Sequence, residues 1–340
     1  MISLLVVNYR AAALAIEAIR TARVATTLPL QIVVVDNSCD AHEADALRPH
    51  ADVIIAAESN LGYAAAINRG RRSCEGEAII VSNPDVTFAP LAIDRLIEQL
   101  DDRTAVAGPA LFWDEAHTWM LPPGDLNSGW EKIDEVLATR SRVWQEQRDR
   151  RRFQKRLGFW SLTQPAPVRT LSGAVMAIRT ADFDAHDGFD ERFRLYFEET
   201  DFLRRMTKRI VYVPAARCRH IYNQSAASSA SALYAESEQK YLEKWNGPLA
   251  ARVLFGVRRP QSPLSPREPQ LALPHIDDVI YEASPLADFA TAAGHFPSSE
   301  SDPVDVPPDV WRSLKDPVLY LRVVRRTTGE VLATYTRYRT

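Results

Sequence analysis

The sequence predicts an α/β protein with a mostly parallel central sheet flanked by helices. Two observations predict this. Short apolar runs rich in β-branched residues alternate with helix-length segments through the first third of the chain, the pattern of strands joined by helical crossovers. A polar cluster then follows each apolar run, where open α/β sheets bind ligands, beyond the carboxyl ends of their strands.

Taken in order, Ile2–Val7 is a buried strand, with no charged segment before it to suggest a signal peptide. Helix Ala11–Val24, strand Ile32–Val35, helix Ala41–Arg48 and strand Val53–Ala56 follow. Helix Ala64–Arg72, strand Ala78–Val81, helix Leu91–Leu100 and strand Ala105–Ala107 complete the alternation. The polar clusters are Asn8-Tyr9-Arg10, Asp36-Asn37-Ser38, Glu58-Ser59-Asn60-Leu61-Gly62 and Ser82-Asn83-Pro84-Asp85. Any one of them is a satisfactory turn or helix cap. Four at one sheet edge point to a binding site.

Residues 112–168 break the alternation with an insertion, and Glu131–Arg156 reads as one long helix with a basic second half from Arg140 to Arg156. Two readings stand: a solvated face whose arginine stems cover apolar surface, or a patch for an anionic lipid headgroup or polyanionic acceptor. Thr170–Arg179 resumes as a strand. Helices Thr180–His186 and Glu199–Lys208, strands Ile210–Val213 and Arg217–Ile221, and helix Ala226–Trp245 follow. Residues 258–310 are Pro-rich and read as a linker or extended wrap. Val318–Arg325 and Val331–Tyr338, alternating runs around Thr327-Thr328-Gly329-Glu330, form a β-hairpin. The expected organisation is a catalytic domain over 1–257, the linker over 258–310 and a small hairpin element over 311–340.

Composition narrows the function. A hydrophobic fraction of 46%, a charged fraction of 25% and a net charge of −3 suit a globular protein and give no electrostatic reason for a nucleic-acid partner. The three cysteines, Cys39, Cys74 and Cys218, lack metal or disulfide spacing and fit a reducing compartment. No apolar run reaches membrane-spanning length. The sequence has no GxGxxG turn, GxxxxGK[ST] loop, HExxH pair or GxSxG elbow, so dinucleotide, P-loop, zincin and α/β-hydrolase chemistry lack support.

Asp85 ends a buried strand, where a carboxylate suits a divalent cation otherwise held by phosphate and water. Asn83 shares its side if the backbone is extended, and Pro84 keeps Asn83 out of helical geometry. His220, at the end of RCRHI and before Ser225 in HIYNQS, is the imidazole available to an Mn²⁺ or Mg²⁺ site. Glu198, Glu199 and Asp201 crowd against Phe193, Leu195, Tyr196 and Phe197. A first helical turn favours acids by about 0.3–1 kcal/mol each, so helix capping alone is one explanation.

The ordered set VVVDNS, ESNLGYAAAINRG, SNPDV, GFDERFRLYFEETDFLRR and HIYNQS resembles the family 2 glycosyltransferases, over roughly residues 1–245. The motif style is that of the rhamnosyltransferase-like and galactofuranosyltransferase-like members. The resemblance implies the GT-A nucleotide-sugar-binding fold and an inverting transfer from a nucleotide diphosphate sugar, dTDP-rhamnose-like or UDP-linked, to a glycan or lipid-linked acceptor in cell-surface polysaccharide synthesis. It implies that Asn8, Tyr9, Arg10 and Asp36 hold base and ribose, and that Asn60, Gly62 and Asn68 line the same pocket. Asn83 and Asp85 stand at the DxD-type motif, with Asp85 and His220 on the metal. Asn in place of the first Asp removes one charge there. Gly173 allows close approach of sugar or acceptor. Glu199 is the general base, Glu198 and Asp201 raise its pKa, and Arg205 orients the carboxylates. The implied location is cytoplasmic, with Arg140–Arg156 as the region for peripheral contact at the inner membrane face. The rival readings are a sugar nucleotidyltransferase, whose Gly- and Lys/Arg-rich first loop NYRAAA does not supply, and a non-catalytic nucleotide-sugar-binding or scaffold protein on the same fold.

Overall fold

In the computed structural model, which describes residues 1–122, 124–221, 230–255, 276–299 and 302–339, the first strand shows why the chain folds as it does. Strand β1 (Ile2–Asn8) is buried along its whole length. Its alternate residues serve two cores: Leu4 and Val6 face one cluster with Ala15 and Ile19, and Leu5 and Val7 face another with Ile67, Phe183 and Phe202. An apolar run with no polar face must be covered on both sides, which makes it a central strand.

The expected alternation follows: α1 (Ala12–Val24), β2 (Leu30–Asp36), α2 (Ala41–Leu47), β3 (Val53–Ala56), α3 (Tyr63–Arg71) and β4 (Ala78–Ser82). Strands β3, β2, β1 and β4 are parallel neighbours, so their carboxyl ends share one edge. Next come β5 (Val86–Phe88), α4 (Ala92–Ile97), β6 (Thr104–Phe112), α5 (Gly129–Arg140), α6 (Arg142–Trp160), β7 (Ala166–Val168), β8 (Val175–Arg179), α7 (Thr180–Ala185), α8 (Glu198–Arg205) and β9 (Arg209–His220). The sheet order is β3-β2-β1-β4-β8-β6-β9-β5, with β7 on β9. Strand β8 runs antiparallel between β4 and β6, and β5 and β7 are antiparallel to β9. The sheet is therefore mixed, parallel from β3 to β4 and again between β6 and β9.

Three local expectations change. The single helix over Glu131–Arg156 is two, because Ser141 is extended and its hydroxyl caps the N–H of Trp144 at the start of α6. The strands expected at Ile210–Val213 and Arg217–Ile221 are one, β9, whose register against β6 jumps from Val213 to Arg217; Pro214, which lacks a donor, sits in that interruption. The strand expected from Thr170 begins only at Val175.

Helices α9 (Ala230–Asn246) and α10 (Pro248–Phe255) follow; the expected start of α9 at 226–229 lies outside the described residues, as do Tyr222–Ser225 of HIYNQS. Within 258–310, expected to be a linker or wrap, the described part holds β10 (Val279–Ser284), β11 (Ala293–His295) and the start of α11 (Pro308–Ser313). With the expected hairpin, β12 (Val318–Arg325) and β13 (Val331–Tyr338), they form an antiparallel sheet ordered β11-β10-β12-β13. Its Tyr281, Leu319, Leu321 and Val323 join the same core as Trp113, Trp119 and Leu121. Glu282 is fully buried in β10 between Arg156 and Arg322: the Arg156 guanidinium donates to one carboxylate oxygen at 2.6 and 2.9 Å, and Arg322 reaches the other at 2.6 and 2.7 Å. Burial pushes the Glu282 carboxyl up, but the two guanidiniums outweigh it and hold its pKa low.

The basic run of α6 is divided: Arg156 is buried and Arg148 and Arg152 half-buried, while Arg142, Arg150, Arg151 and Lys155 are exposed. Arg148 and Arg151 reach Asp134, Lys155 reaches Asp125, and Arg156 holds the insertion to the second sheet. The charge expected to face a polyanion or lipid is thus mostly neutralised within the protein. Among the described residues no helix is long and apolar enough to cross a membrane.

Candidate active site

At the carboxyl edge of the parallel strands, Asn8 and Asp36 are register partners. The Asn8 amide donates to Asp36 and to Glu43, both at 2.9 Å, and Glu43 also accepts from the N–H of Ala12 at 3.0 Å. Asp36 accepts from the hydroxyl of Ser38 at 2.8 Å. These residues, expected to touch nucleotide, thus also fix the first two loops. Arg10 lies over the Tyr9 ring, 5.6 Å from its centroid, on the exposed side of that edge. Asn37 joins the third loop: its amide donates to the carbonyl of Gly62 at 3.1 Å and its oxygen accepts from Leu61 at 3.2 Å. The Asn60 side chain accepts from the N–H of Gly62 at 2.9 Å. Gly62 has φ 84°, and a Cβ there would lie 2.7–2.8 Å from Arg194, so conformation and close approach both demand glycine.

Asn68 does not line this edge. Its amide bonds the carbonyl of Phe189 at 2.8 Å and Glu191 at 3.0 Å, and its oxygen accepts from the Phe189 N–H at 2.9 Å. It clamps the segment leading to α8.

Asp85 is buried, and His220 Nε2 lies 3.3 Å from its Oδ1. Pairing of β5 with β9 places them together, with Val86 opposite His220 and the Ile221 N–H on the Asp85 carbonyl at 3.1 Å. Two residues before Asp85, the Asn83 N–H donates to Ala174 at 2.9 Å. Beside Ala174, a Cβ on Gly173 would stand 2.8–3.2 Å from the side chain of Glu199. The space left by Gly173 is therefore occupied by Glu199 rather than open to a ligand, and the chain from Asp85 to Glu199 runs through contacting groups.

Helix α8 starts from strained backbone. Tyr196 and Phe197 both have positive φ, 70° and 71°, costing bulky residues on the order of 1–3 kcal/mol each. Phe193, Phe197 and Tyr241 pack together to hold this turn, which sets Glu198 and Glu199 in the first helical turn. One oxygen of each carboxyl is buried without a hydrogen-bond partner. Burial raises the pKa of both; the charge of Glu199 adds to the rise at Glu198, which goes well above the ordinary carboxyl range, whereas the N–H groups of Glu199 and Thr200 restrain Glu199. Both carboxyls are therefore harder to ionise than exposed ones.

Asp201, expected to raise the pKa of Glu199, instead spends both oxygens elsewhere. It bonds Arg205 at 2.9 Å, Lys244 at 2.7 Å and the Trp245 indole at 2.9 Å. With its charge met by two cations, it anchors α8 to α9 and leaves desolvation as the main cause of the raised pair. Arg205 also binds the carbonyls of His186 and Gly188, so it orients the segment as well as Asp201.

Sequence reasoning missed Tyr63. Its hydroxyl is buried without a hydrogen-bond partner. Its pKa is raised well above normal by burial first, then by Glu198, Glu199 and Asp85. One phenol thus feels the charge of all three carboxylates. Lys244 and Trp245 were missed too, since nothing in α9 marks them as partners of Asp201.

Residues 3–162 match the model of glycosyl transferase family 2. The chain carries a family 2 glycosyltransferase domain. A curated relative, the N-acetylglucosaminyl-diphospho-decaprenol L-rhamnosyltransferase of Mycobacterium tuberculosis, is 27% identical over 240 residues in each of two strains, spanning 64% of this glycosyltransferase and 75% of the relative. Among solved structures, the mannosyltransferase PcManGT from Pyrobaculum calidifontis, in complex with GDP-Man and Mn²⁺, is 13% identical with a TM-score of 0.48, covering 74% of this chain and 69% of that one. TarS 1-349 of S. aureus, in complex with UDP, is 13% identical with a TM-score of 0.43, covering 75% and 69%.

The raised pKa of Glu198 has a consequence for stability in this glycosyltransferase. Below its ordinary value of 4.5 the carboxyl is protonated in folded and unfolded chains alike. As pH climbs from there toward the raised folded value, the unfolded chain releases the proton first and stability falls. Glu198→Gln removes that loss. The stability gained by the variant over the parent should grow as pH rises from 4.5 to neutrality, as read by urea denaturation at several pH values.

Proposed function

We propose that this glycosyltransferase moves a sugar, with inversion, from a nucleotide diphosphate sugar to a hydroxyl of a glycan or lipid-linked acceptor. The observation that carries the reading is the contiguity of Asp85 with Glu199 through Asn83, Ala174 and Gly173. It supports one site in which Glu199 acts on the acceptor and Asp85 serves the diphosphate.

The acceptor hydroxyl attacks the anomeric carbon on the face opposite the diphosphate. The new C–O bond forms as the bond to the diphosphate oxygen breaks, and the electron pair leaves with the nucleoside diphosphate. The hydroxyl proton passes to Glu199, whose raised pKa makes it a stronger base than an exposed carboxylate. Burial and the charge of Glu199 raise the pKa of Glu198, which disfavours a second negative charge beside that base. The buried carboxylate of Asp85 and the imidazole of His220, 3.3 Å apart, fit an oxygen-and-nitrogen donor set for Mn²⁺ or Mg²⁺ completed by diphosphate oxygens. Bound there, the cation would offset charge on the departing diphosphate.

The loops carrying Asn8, Tyr9, Arg10, Asp36, Asn60 and Gly62 supply the nucleoside end, and the rhamnosyl transfer named for the mycobacterial relative supports a dTDP-rhamnose-like donor. We assign this transfer to cell-surface polysaccharide synthesis, at a cytoplasmic location. The test is calorimetric titration of dTDP-rhamnose and UDP-sugars with and without Mn²⁺. The parent should bind a donor more tightly with the ion, and Asp85→Ala should lose that gain. Donor affinity indifferent to both ion and variant would overturn the metal assignment.

A further inference from the structure

Between α5, α6 and α9 lies a cleft of about 590 Å³ that the sequence did not foreshadow. Three aromatic side chains line it: Trp130, Trp144 and Tyr234. Trp130 is 70% exposed and Tyr234 41% exposed, so two large rings face solvent at its walls. Between them stand carboxylates and cations in nearly equal number; most are matched to one another, while Arg156 pairs with Glu282 and Arg152 donates to the carbonyl of Ala290 at 2.9 Å. Asp134 takes Arg148 and Arg151, Asp125 takes Lys155, and Glu238 takes Lys132 at 3.0 Å. The cleft also abuts the catalytic turn. Tyr234 packs on Tyr196 and Phe197, with ring centroids 5.5 and 5.1 Å apart, and those are the residues immediately before Glu198 and Glu199.

We infer that this cleft binds the sugar chain of the acceptor, and that its occupant is an uncharged oligosaccharide with rings stacked on Trp130 and Tyr234. The inference rests on the glycosyl-transfer reading and names the acceptor side of it. A pyranose presents one face of C–H groups, which an aromatic face attracts, and a rim of hydroxyls that both donate and accept. Alternating rings and paired charges answer both features, since a paired carboxylate or guanidinium keeps hydrogen-bonding capacity for a neutral hydroxyl. A polyanion or an anionic headgroup would need several unmatched cations, and the cleft's cations other than Arg152 are already paired with carboxylates. The path from the cleft past Tyr234 to the start of α8 would bring the terminal hydroxyl toward Glu199.

The test uses the full-length protein on an array of neutral and uronic-acid oligosaccharides, with Trp130→Ala and Tyr234→Ala beside it, and with dTDP and UDP binding followed in parallel. Trp130 is exposed enough that its removal leaves the fold intact. The parent should capture neutral oligosaccharides, and each variant should lose about tenfold or more in affinity, the worth of one aromatic contact, with nucleotide binding unchanged. Capture of no glycan, preference for the acidic ones, or equal capture by Trp130→Ala would overturn the inference. So would binding to phosphatidylglycerol vesicles that both variants lose while no glycan binds. Glycan capture that depends on Trp130, in a protein that binds no nucleotide, would instead sink the transfer reading and leave the cleft assignment standing.

Discussion

Glu199→Gln should lower kcat by about 10²–10⁴-fold while donor affinity stays within error, as expected when a general base is removed. The amide keeps the shape that fills the space beside Gly173, so the site should not collapse. It removes only the capacity to take a proton. Glu198→Gln is the internal control. Burial and the charge of its neighbour raise the pKa of that carboxyl, so its amide should change turnover much less. Equal losses in the two variants would mean that the pair shares the role. Steady-state kinetics with donor titration separates these results.

The second large effect concerns stability. Glu282→Ala leaves Arg156 and Arg322 facing each other inside the protein without their carboxylate. An uncompensated buried charge costs about 3–5 kcal/mol, a sizeable part of the roughly 5–15 kcal/mol that a folded protein has to lose. Replacing all three together, Arg156→Met, Glu282→Leu and Arg322→Met, should cost far less, because no charge remains to be desolvated. Urea denaturation of the two forms measures the contrast. The insertion helix and the second sheet meet at this triad, so Glu282→Ala should also loosen α6 and speed amide exchange there.

Much of this was legible in the chain because the physics is local. Parallel strands put their carboxyl ends together, so polar clusters after Val7 and Val35 had to share an edge, and Asn8 and Asp36 do bond there. The break at Ser141 was missed: one helix was expected over Glu131–Arg156, although a helix-capping residue stands inside that run. Strand β10 was not legible either. Its buried Glu282 interrupts an apolar pattern, and the arginines that make the burial tolerable lie on α6 and β12. Position 201 misled for the same reason: acids adjacent in sequence look alike, and Lys244 and Trp245, which separate Asp201 from Glu198 and Glu199, arrive from another helix. Gly173 was visible as a point of close approach, but only the fold shows that Glu199 fills it. Tyr63 carried no signal beyond an aromatic ring after Gly62.

The most direct measurement is a crystal structure of the protein with Mn²⁺ and an intact, non-transferable nucleotide sugar. It should show the diphosphate at Asp85 and His220 and the anomeric carbon open toward the Glu199 carboxylate. A sugar lodged away from Glu199, with the diphosphate bound at another edge of the sheet, would contradict the account.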